Sequence, residues 1–509
     1  MAHSPFTIKL RWPGALAGAL VLLLTLGTLG AVAWQAEWVG GLSPADYAAI
    51  RFTVLQALAS AAISTMLAIP VARALARRQF RGRSILITLL GAPFLLPVIV
   101  AVLGLLMIFG RSGLLNGGLA WLGLPGFSIY GFHGVVMAHV FFNLPLATRL
   151  ILQGWLAIPA ERFRLTASLN ASVWQLLERP MLRAVAPGAF LVIFLICLTS
   201  FAVALTLGGG PRATTVELAI YQALRFDFDL GRAALLAGIQ FLLCACAALV
   251  VWRLSTADML SGGMDRRVQR WDSGAAWLDM LVISAAAIFL SLPLAMIVFR
   301  GLPGLVDLPV SVWWAAARSI SVALVSALLC SGMAVALALW GGRFVAVVGV
   351  LPLAASGLVI GTGAFLLIYP VMNPAKAALV VTALVNATLA LPFALRALEP
   401  GIDTAKRDFD RLAASLGFGP WRFARMIILP RVRRPLGFGA GLAAALSMGD
   451  LGVIALFAGD AQETLPLAMY RLMGAYQMQS AAGAGLLLLG LSLSLFWIFD
   501  KGGRAHAQM

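Results

Sequence analysis

Two polar segments with matching sequences could bind a partner protein without any covalent chemistry. Residues 164–183 read RLTASLNASVWQLLERPMLR, and residues 411–434 read RLAASLGFGPWRFARMIILPRVRR. In the second copy, Leu412 and Leu416 offer apolar anchors while Ala413 and Ala414 allow another surface to approach, which suits a helix that binds in a groove. A helix lying on lipid headgroups is the other interpretation of a single copy. Because the segment occurs twice at matching positions, we favour docking.

The second copy has the pattern of two short helices joined by a tight turn. Apolar residues recur at helical spacing over residues 408–416. Gly417 then supplies a left-handed residue, which ends a helix without steric cost. Pro420 suits the start of a second helix, which Leu429 and Pro430 close before the next apolar run. We expect both helices to lie on the membrane surface.

The first copy departs from this pattern in two ways. Leu165, Thr166 and Ala167 occupy its beginning, but Asn170 stands at the glycine position. Asparagine adopts the left-handed conformation more readily than most residues, so the turn can still form. The stretch that leads to Pro180 is shorter than its counterpart, which puts the geometry of its second helix in question. We expect this copy to dock with a different strength.

Residues for covalent or metal-assisted catalysis form no cluster in the sequence. The four cysteines fall in predicted apolar spans without disulfide or metal-binding spacing, and the four histidines are scattered. No lysine follows a glycine, so the phosphate-binding pattern G-x-x-x-x-G-K-[ST] is excluded. We therefore expect this chain to be neither an enzyme nor the holder of a cofactor.

Asp450 is the most informative acidic residue inside a predicted span. An aspartate at a helix centre costs about 2.5–3.5 kcal/mol in a membrane, so it should face water or a partner. One interpretation places Asp450 on a transport path, where its charge would favour a cation. The other interpretation has it cap the Gly449–Gly452 region at the outer interface. The sequence leaves both open.

Long apolar runs indicate a membrane protein. The chain is 61% hydrophobic and 11% charged, with a mean hydropathy of +0.96, and runs of about 20 apolar residues recur along it. This composition excludes a soluble globular fold, and the runs lack the period-two alternation of a membrane barrel. We predict an all-α polytopic membrane protein. Its twelve spans begin near Gly14, Thr53, Ile85, Gly131, Gly188, Ala233, Leu278, Ala316, Phe344, Ala377, Leu436 and Ala481.

The distribution of positive charge predicts the orientation. A net charge of +17 could indicate nucleic acid binding, but most Lys and Arg residues fall on one side of the predicted spans. That asymmetry follows the positive-inside rule, so we expect both termini to be cytoplasmic and no nucleic acid partner. The apolar run at residues 14–34 follows two basic residues and could be a signal peptide, but its length favours a retained span.

The sequence contains a parallel duplication of six spans. HVFFNLPLATRL aligns with NATLALPFALRA at the spacing that separates the two polar segments, so that Pro145 matches Pro392. TTVELAIYQ aligns with ETLPLAMYR at nearly the same spacing, so that Tyr221 matches Tyr470. The order and direction of the spans are preserved, which makes the repeats parallel. We predict a first repeat at 1–252 (core 50–252), a cytoplasmic linker at 253–276 and a second repeat at 277–509 (core 316–500).

The second polar segment resembles the coupling loop of ABC-importer permeases. Its Ala-Ala-x-x-Gly spacing, followed by Ile427, Leu429 and Pro430, is similar to the EAA loop of that family, although Arg411 stands where the family usually has glutamate. In the family, this loop is seated in a groove of a cytoplasmic ATPase. The resemblance implies an ATPase-coupling role for Leu165, Thr166, Ala167, Leu169, Asn170, Arg411, Leu412, Ala413, Ala414, Leu416, Gly417, Ile427, Leu429 and Pro430.

The resemblance extends over nearly the whole chain. LGGGPRATTVELAIYQALRFDFDLGRAA (residues 207–234), HVFFNLPLATRL and GDLGVIALFAG (residues 449–459) are similar to the fused permeases of bacterial thiamine ABC importers. Fused ferric-iron permeases have similar second halves, so ferric iron or another small solute stays an alternative. A twelve-span secondary transporter is a further alternative, but it would need more coupling charges inside its spans and has no use for twin loops.

This resemblance implies a type I importer fold in the bacterial inner membrane, surrounded by lipid. It implies two copies of a cytoplasmic ATPase, which would hold ATP and Mg²⁺, and a periplasmic solute-binding protein. Thiamine, from which the sequence does not distinguish its phosphates, would then cross by alternating access. Closure of the ATPases would move the docked loops and rock the two halves about a central path.

Overall fold

The computed structural model describes residues 11–37, 41–91, 96–210, 213–254, 275–459 and 462–504, and these ranges contain helices but no strand. Within them, eleven helices are long and apolar enough to cross a membrane, by length and composition, and one shorter apolar helix lies at Gly357–Ile368. The twelve are α1 Trp12–Gln35, α2 Pro44–Arg77, α3 Val98–Trp121, α4 Phe132–Ala157, α5 Trp174–Leu198, α6 Leu230–Val250, α7 Ala276–Gly304, α8 Val310–Trp340, α9 Gly357–Ile368, α10 Pro374–Ser415, α11 Arg433–Phe457 and α12 Met478–Arg504.

The predicted all-α polytopic class is confirmed, but several predicted span starts are wrong. Those near Thr53 and Gly188 fall well inside helices that begin at Pro44 and Trp174, and two others fall in separate short helices. Short helices at Arg83–Leu89 and Arg343–Val350 occupy the positions near Ile85 and Phe344, and α3 and α9 begin only at Val98 and Gly357. The apolar run continues through both interruptions, so hydropathy does not reveal them. Pro97 and Ser356, which immediately precede these helices, are extended rather than helical, and each marks the true start.

Each half contains a hydrogen bond that has an equivalent in the other half, as the sequence duplication predicts. The backbone N–H of Val216 donates to Thr53 Oγ1 at 2.9 Å, and the backbone N–H of Leu465 donates to Ser319 Oγ at 2.8 Å. Thr53 belongs to α2 and Ser319 to α8, the second helix of each half. Equivalent contacts at equivalent positions are the structural counterpart of the parallel repeat. Residues 255–274 of the predicted linker lie outside the described residues, so the repeat boundaries stay a prediction.

The first helix of each half packs against the other half. Helix α1 lies along α8 and α9, where a Cβ added to Gly14 would approach Trp340 to 2.7 Å. Gly363 of α9 leaves similar room for the backbone of Thr28. Helix α7 in turn contacts α2 and α3 of the first half, as well as α12 of its own. Because α1 and α7 each pack on the opposite half, they hold the two halves together at their flanks.

Candidate coupling loops and central interface

Both polar segments end their first helix with the same turn. The N–H of Ala171 donates to the Thr166 carbonyl at 3.0 Å, and the N–H of Phe418 donates to the Ala413 carbonyl at 2.9 Å. A second hydrogen bond joins the N–H of Asn170 to the Ala167 carbonyl. In the other copy, the N–H of Gly417 donates to the Ala414 carbonyl in the same way. These paired bonds define a Schellman C-cap.

The left-handed residue of each cap is the one that the sequence predicts. Asn170 has φ +47° and Gly417 has φ +67°. The asparagine of the first copy therefore supports the same turn as the glycine of the second. The sequence divergence between the two copies does not change this part of their geometry.

Four leucines are the exposed apolar side chains of these caps. Leu165 and Leu169 are 59% and 65% exposed, and Leu412 and Leu416 are 52% and 60% exposed. Exposed leucines are common in this chain, but two pairs at equivalent positions of the two polar segments mark surfaces suited to a partner.

Ala413 and its counterpart Thr166 point the other way. Ala413 has no exposed surface and Thr166 is buried, so neither can contact a docked protein in this conformation. The sequence-based interpretation that Ala413 leaves room for a partner is therefore wrong, since its small size serves packing within the chain. Ala167 and Ala414, by contrast, are exposed beside the leucines.

The prediction of two separate short helices fits the first copy better than the second. Residues Ala160–Ser168 form a separate helix because Ile158 and Pro159 are extended. In the second copy the corresponding residues are the last turns of α10, which runs unbroken from Pro374 to Ser415. The second half therefore has a continuous helical connection from the apolar span to its loop.

The segments that follow the turns contain matching π-helical stretches. These are Trp174–Glu178 and Ala424–Ile428, each placed the same distance before a proline, Pro180 or Pro430. Proline lacks an N–H and crowds the carbonyl four residues earlier, and the wider π turn accommodates it. The sequence suggested that Pro430 closes the helix, but helical residues continue to Arg431.

The remaining predicted loop residues divide between surface and packing. Arg411 and Pro430 are exposed, while Ile427 and Leu429 are half-buried. The guanidinium of Arg431 lies 4.0 Å from the ring centroid of Phe409, a cation–π contact that holds the two arms of the second loop together.

Glu178 anchors the first loop, and the sequence interpretation did not single it out. Its carboxylate is fully buried and accepts from Arg73 Nε at 2.8 Å and from Trp155 Nε1 at 3.1 Å, with Arg77 at 4.0 Å. The Arg73 guanidinium also lies over the ring of Trp174. A lone acid at the start of an apolar span, opposite an arginine cluster, is the signal that could have identified it.

Asp450 lies at a break inside α11, between Met448 and Gly452. Its Oδ1 accepts from the backbone N–H of Val453 at 3.4 Å, which is the capping contact proposed as one interpretation. Its other oxygen, Oδ2, is buried and receives no hydrogen bond of ordinary geometry. Capping therefore uses one oxygen, and the Asn386 side chain also lies close to this carboxylate.

Within the described ranges, no group of three or more His, Cys, Asp or Glu residues could hold a metal ion. The chain has a helical bundle in two related halves, with one surface-exposed polar loop in each. This arrangement is typical of a membrane-embedded permease.

Comparison with known proteins agrees with this class. Residues 277–501 match the family model described as binding-protein-dependent transport system inner membrane component. The chain is 37% identical to the thiamine transport system permease protein ThiP of Salmonella typhimurium, over 97% of each chain. It is 38% identical to that of Escherichia coli over 96% of each chain, and 36% identical to that of Haemophilus influenzae over 93% and 91%. The chain belongs to the family of thiamine transport system permease proteins.

Proposed function

We propose that this chain is the membrane-spanning subunit of an ATP-driven importer that carries thiamine into the cell. The observation that carries the proposal is the pair of identical C-caps, each presenting two exposed leucines. Full-length similarity to thiamine permeases supports the substrate. In the proposed orientation both termini and both loops are cytoplasmic, in agreement with the excess of arginine in the same segments.

Two loops call for two ATPase subunits, one seated on each leucine pair. ATP and Mg²⁺ belong to those subunits, because this sequence has no phosphate-binding loop of its own. Closure of the ATPases would move the loops as rigid bodies. In the second half the motion would pass directly into the apolar span through the continuous α10. In the first half it would pass through the ion pairs of Glu178 to α2.

Delivery of thiamine to the outer face falls to a periplasmic binding protein. The charged residues of the first outer loop are partly engaged within the chain: Arg225 donates to the Ala458 carbonyl at 3.3 Å, and Asp227 pairs with Arg232 at 3.2 Å. These contacts shape the outer surface on which the binding protein would rest.

Uptake of radiolabelled thiamine by cells that contain the cognate ATPase and binding protein tests the proposal. We expect uptake to require this chain and to fall at least about tenfold in the double variant Leu412→Glu/Leu416→Glu, because two charges would be buried in the docked interface. Both leucines are exposed, so the variant should still insert and fold.

Leu412→Met/Leu416→Met is the matched control, since methionine keeps an apolar side chain of similar volume. It should retain most of the uptake. Thiamine uptake that does not depend on this chain would refute the substrate, and ferric iron would be the next solute to test. Normal uptake by the glutamate variant would refute docking at this loop.

A further inference from the structure

Two carboxyl groups, one from each half, border the same helix start in the interior of the bundle. Glu217 belongs to the short helix Val216–Gln222 of the first half, and the Ser356 side chain of the second half lies beside it. Ser356 precedes α9, and its hydroxyl accepts from the Val359 N–H at 3.2 Å. Asp450 lies beside Gly452, which faces Leu358 in the first turn of α9. One acid from each half therefore lies near the start of α9.

Each of these carboxyl groups keeps one oxygen without a hydrogen bond. Glu217 is 2% exposed, and its Oε1 receives no hydrogen bond, as is also true of Oδ2 of Asp450. Neither residue takes part in an ion pair within the described part of the chain. A buried acceptor without a donor costs free energy, which a bound cation or an N–H donor would recover.

Gly452 leaves room for about one methyl group beside Asp450. A Cβ added there would be 3.7 Å from Leu358 and from Phe201, and 3.9 Å from Asp450, which is ordinary contact distance. Neither crowding nor a left-handed backbone therefore requires glycine at this position. Its missing side chain leaves a small gap beside the Asp450 carboxylate, whose Oδ1 is the nearer oxygen.

Aromatic rings adjoin this gap. Phe201, which contacts the Gly452 position, packs edge-on against Tyr221 with ring centroids 5.3 Å apart. Tyr470 is the counterpart of Tyr221 in the second half, and both half-buried rings pack against the same apolar core.

We propose that Glu217, Asp450, Phe201 and Tyr221 form the site at which the permease accepts an organic cation with aromatic rings from the outer side. The carboxyl oxygens would neutralise the positive charge and accept its N–H groups, and the rings would contact its flat faces. This inference rests on the proposed function, because thiamine combines a positively charged thiazolium ring with an aminopyrimidine. The site contains acids from both halves, so rocking of the halves would separate them and release the cation.

The test uses the complete transporter, with ATPase and binding protein, in proteoliposomes. Asp450→Asn keeps an oxygen that can cap α11 but removes the charge, and Glu217→Gln does the same for the other acid. At saturating loaded binding protein, we expect each variant to lower thiamine uptake at least about tenfold. ATP hydrolysis stimulated by the binding protein should stay within about twofold of the unmodified complex, since the loops are untouched. Asp450→Glu should restore part of the uptake.

Asp307→Asn is the matched control, because Asp307 is an acid on the surface that accepts from Gln479 at 3.0 Å. It should transport thiamine normally. If the unmodified complex does not transport thiamine, the proposed function itself fails. If the unmodified complex transports thiamine and both Asp450→Asn and Glu217→Gln match it, this inference is overturned and the proposed function stands. Should Asp450→Asn fail to assemble, Glu217→Gln alone tests the inference, and normal thiamine uptake by that variant would overturn it.

Discussion

At the scale of single residues, the two halves have different side chains at one equivalent buried position. Glu178 is buried at the base of the first loop with Arg73, Arg77 and Trp155, whereas Ile428 occupies the matching place in the π stretch of the second half and is buried among apolar neighbours. An ion pair constrains the orientation of its side chains more than apolar contacts do, but removal of one partner leaves a buried charge and lowers stability. The first loop is therefore the more vulnerable to substitution.

Glu178→Ala should destabilise the protein by about 3 kcal/mol, the low end of the range for broken buried ion pairs because Arg73 reaches solvent. The substitution leaves two arginines and the indole N–H of Trp155 without their shared acceptor. Thermal unfolding of the purified chain in detergent measures the effect. Glu161→Ala, which removes an exposed acid from the same loop, is the control and should change stability by less than about 1 kcal/mol. Equal effects of the two substitutions would contradict this role.

At the scale of elements, the caps and π stretches determine the shape of each loop. A left-handed residue turns the chain back at the end of the first helix, and the π stretch allows a proline within the second. Asn170 is the weaker of the two turn residues, because a side chain in this conformation is strained where glycine is not.

Asn170→Ala should therefore loosen the first turn by about 1 kcal/mol, since alanine lacks the local hydrogen bonding that helps asparagine to adopt positive φ. The backbone amides of Leu169 and Ala171, on either side of residue 170, should exchange hydrogen roughly fivefold faster, which is the ratio that corresponds to this energy. Asn170→Gly serves as control and should exchange no faster than the unmodified chain. Unchanged exchange in the alanine variant would show that the turn does not depend on this residue.

At the scale of the whole molecule, the exchanged first helices limit how the halves can move. Helix α1 is held on α9 through Gly363 and Thr28, while α7 is held on α2 and α3. Away from these flanks, Glu217 Oε1 and Asp450 Oδ2 are buried oxygens that receive no hydrogen bond of ordinary geometry. Because the exchanged helices pack the halves together at their flanks, we expect relative motion of the halves to be a rotation about these contacts.

Gly363→Val should weaken the attachment of α1, because any side chain at this position meets the backbone of Thr28. We expect a lower yield of folded protein, a reduced unfolding temperature and reduced thiamine uptake. Gly490→Val is the matched control, since Gly490 lies on an exposed face of α12 with no neighbouring atom within 4 Å of an added Cβ. If both variants behave alike, the contact between α1 and α9 does not hold the halves together.

The sequence by itself determined the class of fold, the duplication and the positions of the loops. Apolar length and helical spacing are local properties, and so is the preference of Gly417 and Asn170 for a left-handed turn. Only the tertiary structure decided that Ala413 faces inward, that Glu178 meets Arg73, and that α1 packs on the opposite half. These features depend on contacts between residues far apart in the chain. One sequence without its fold contains no record of which distant side chains share a buried environment, and burial decides whether an alanine, a glutamate or an aspartate serves packing or function.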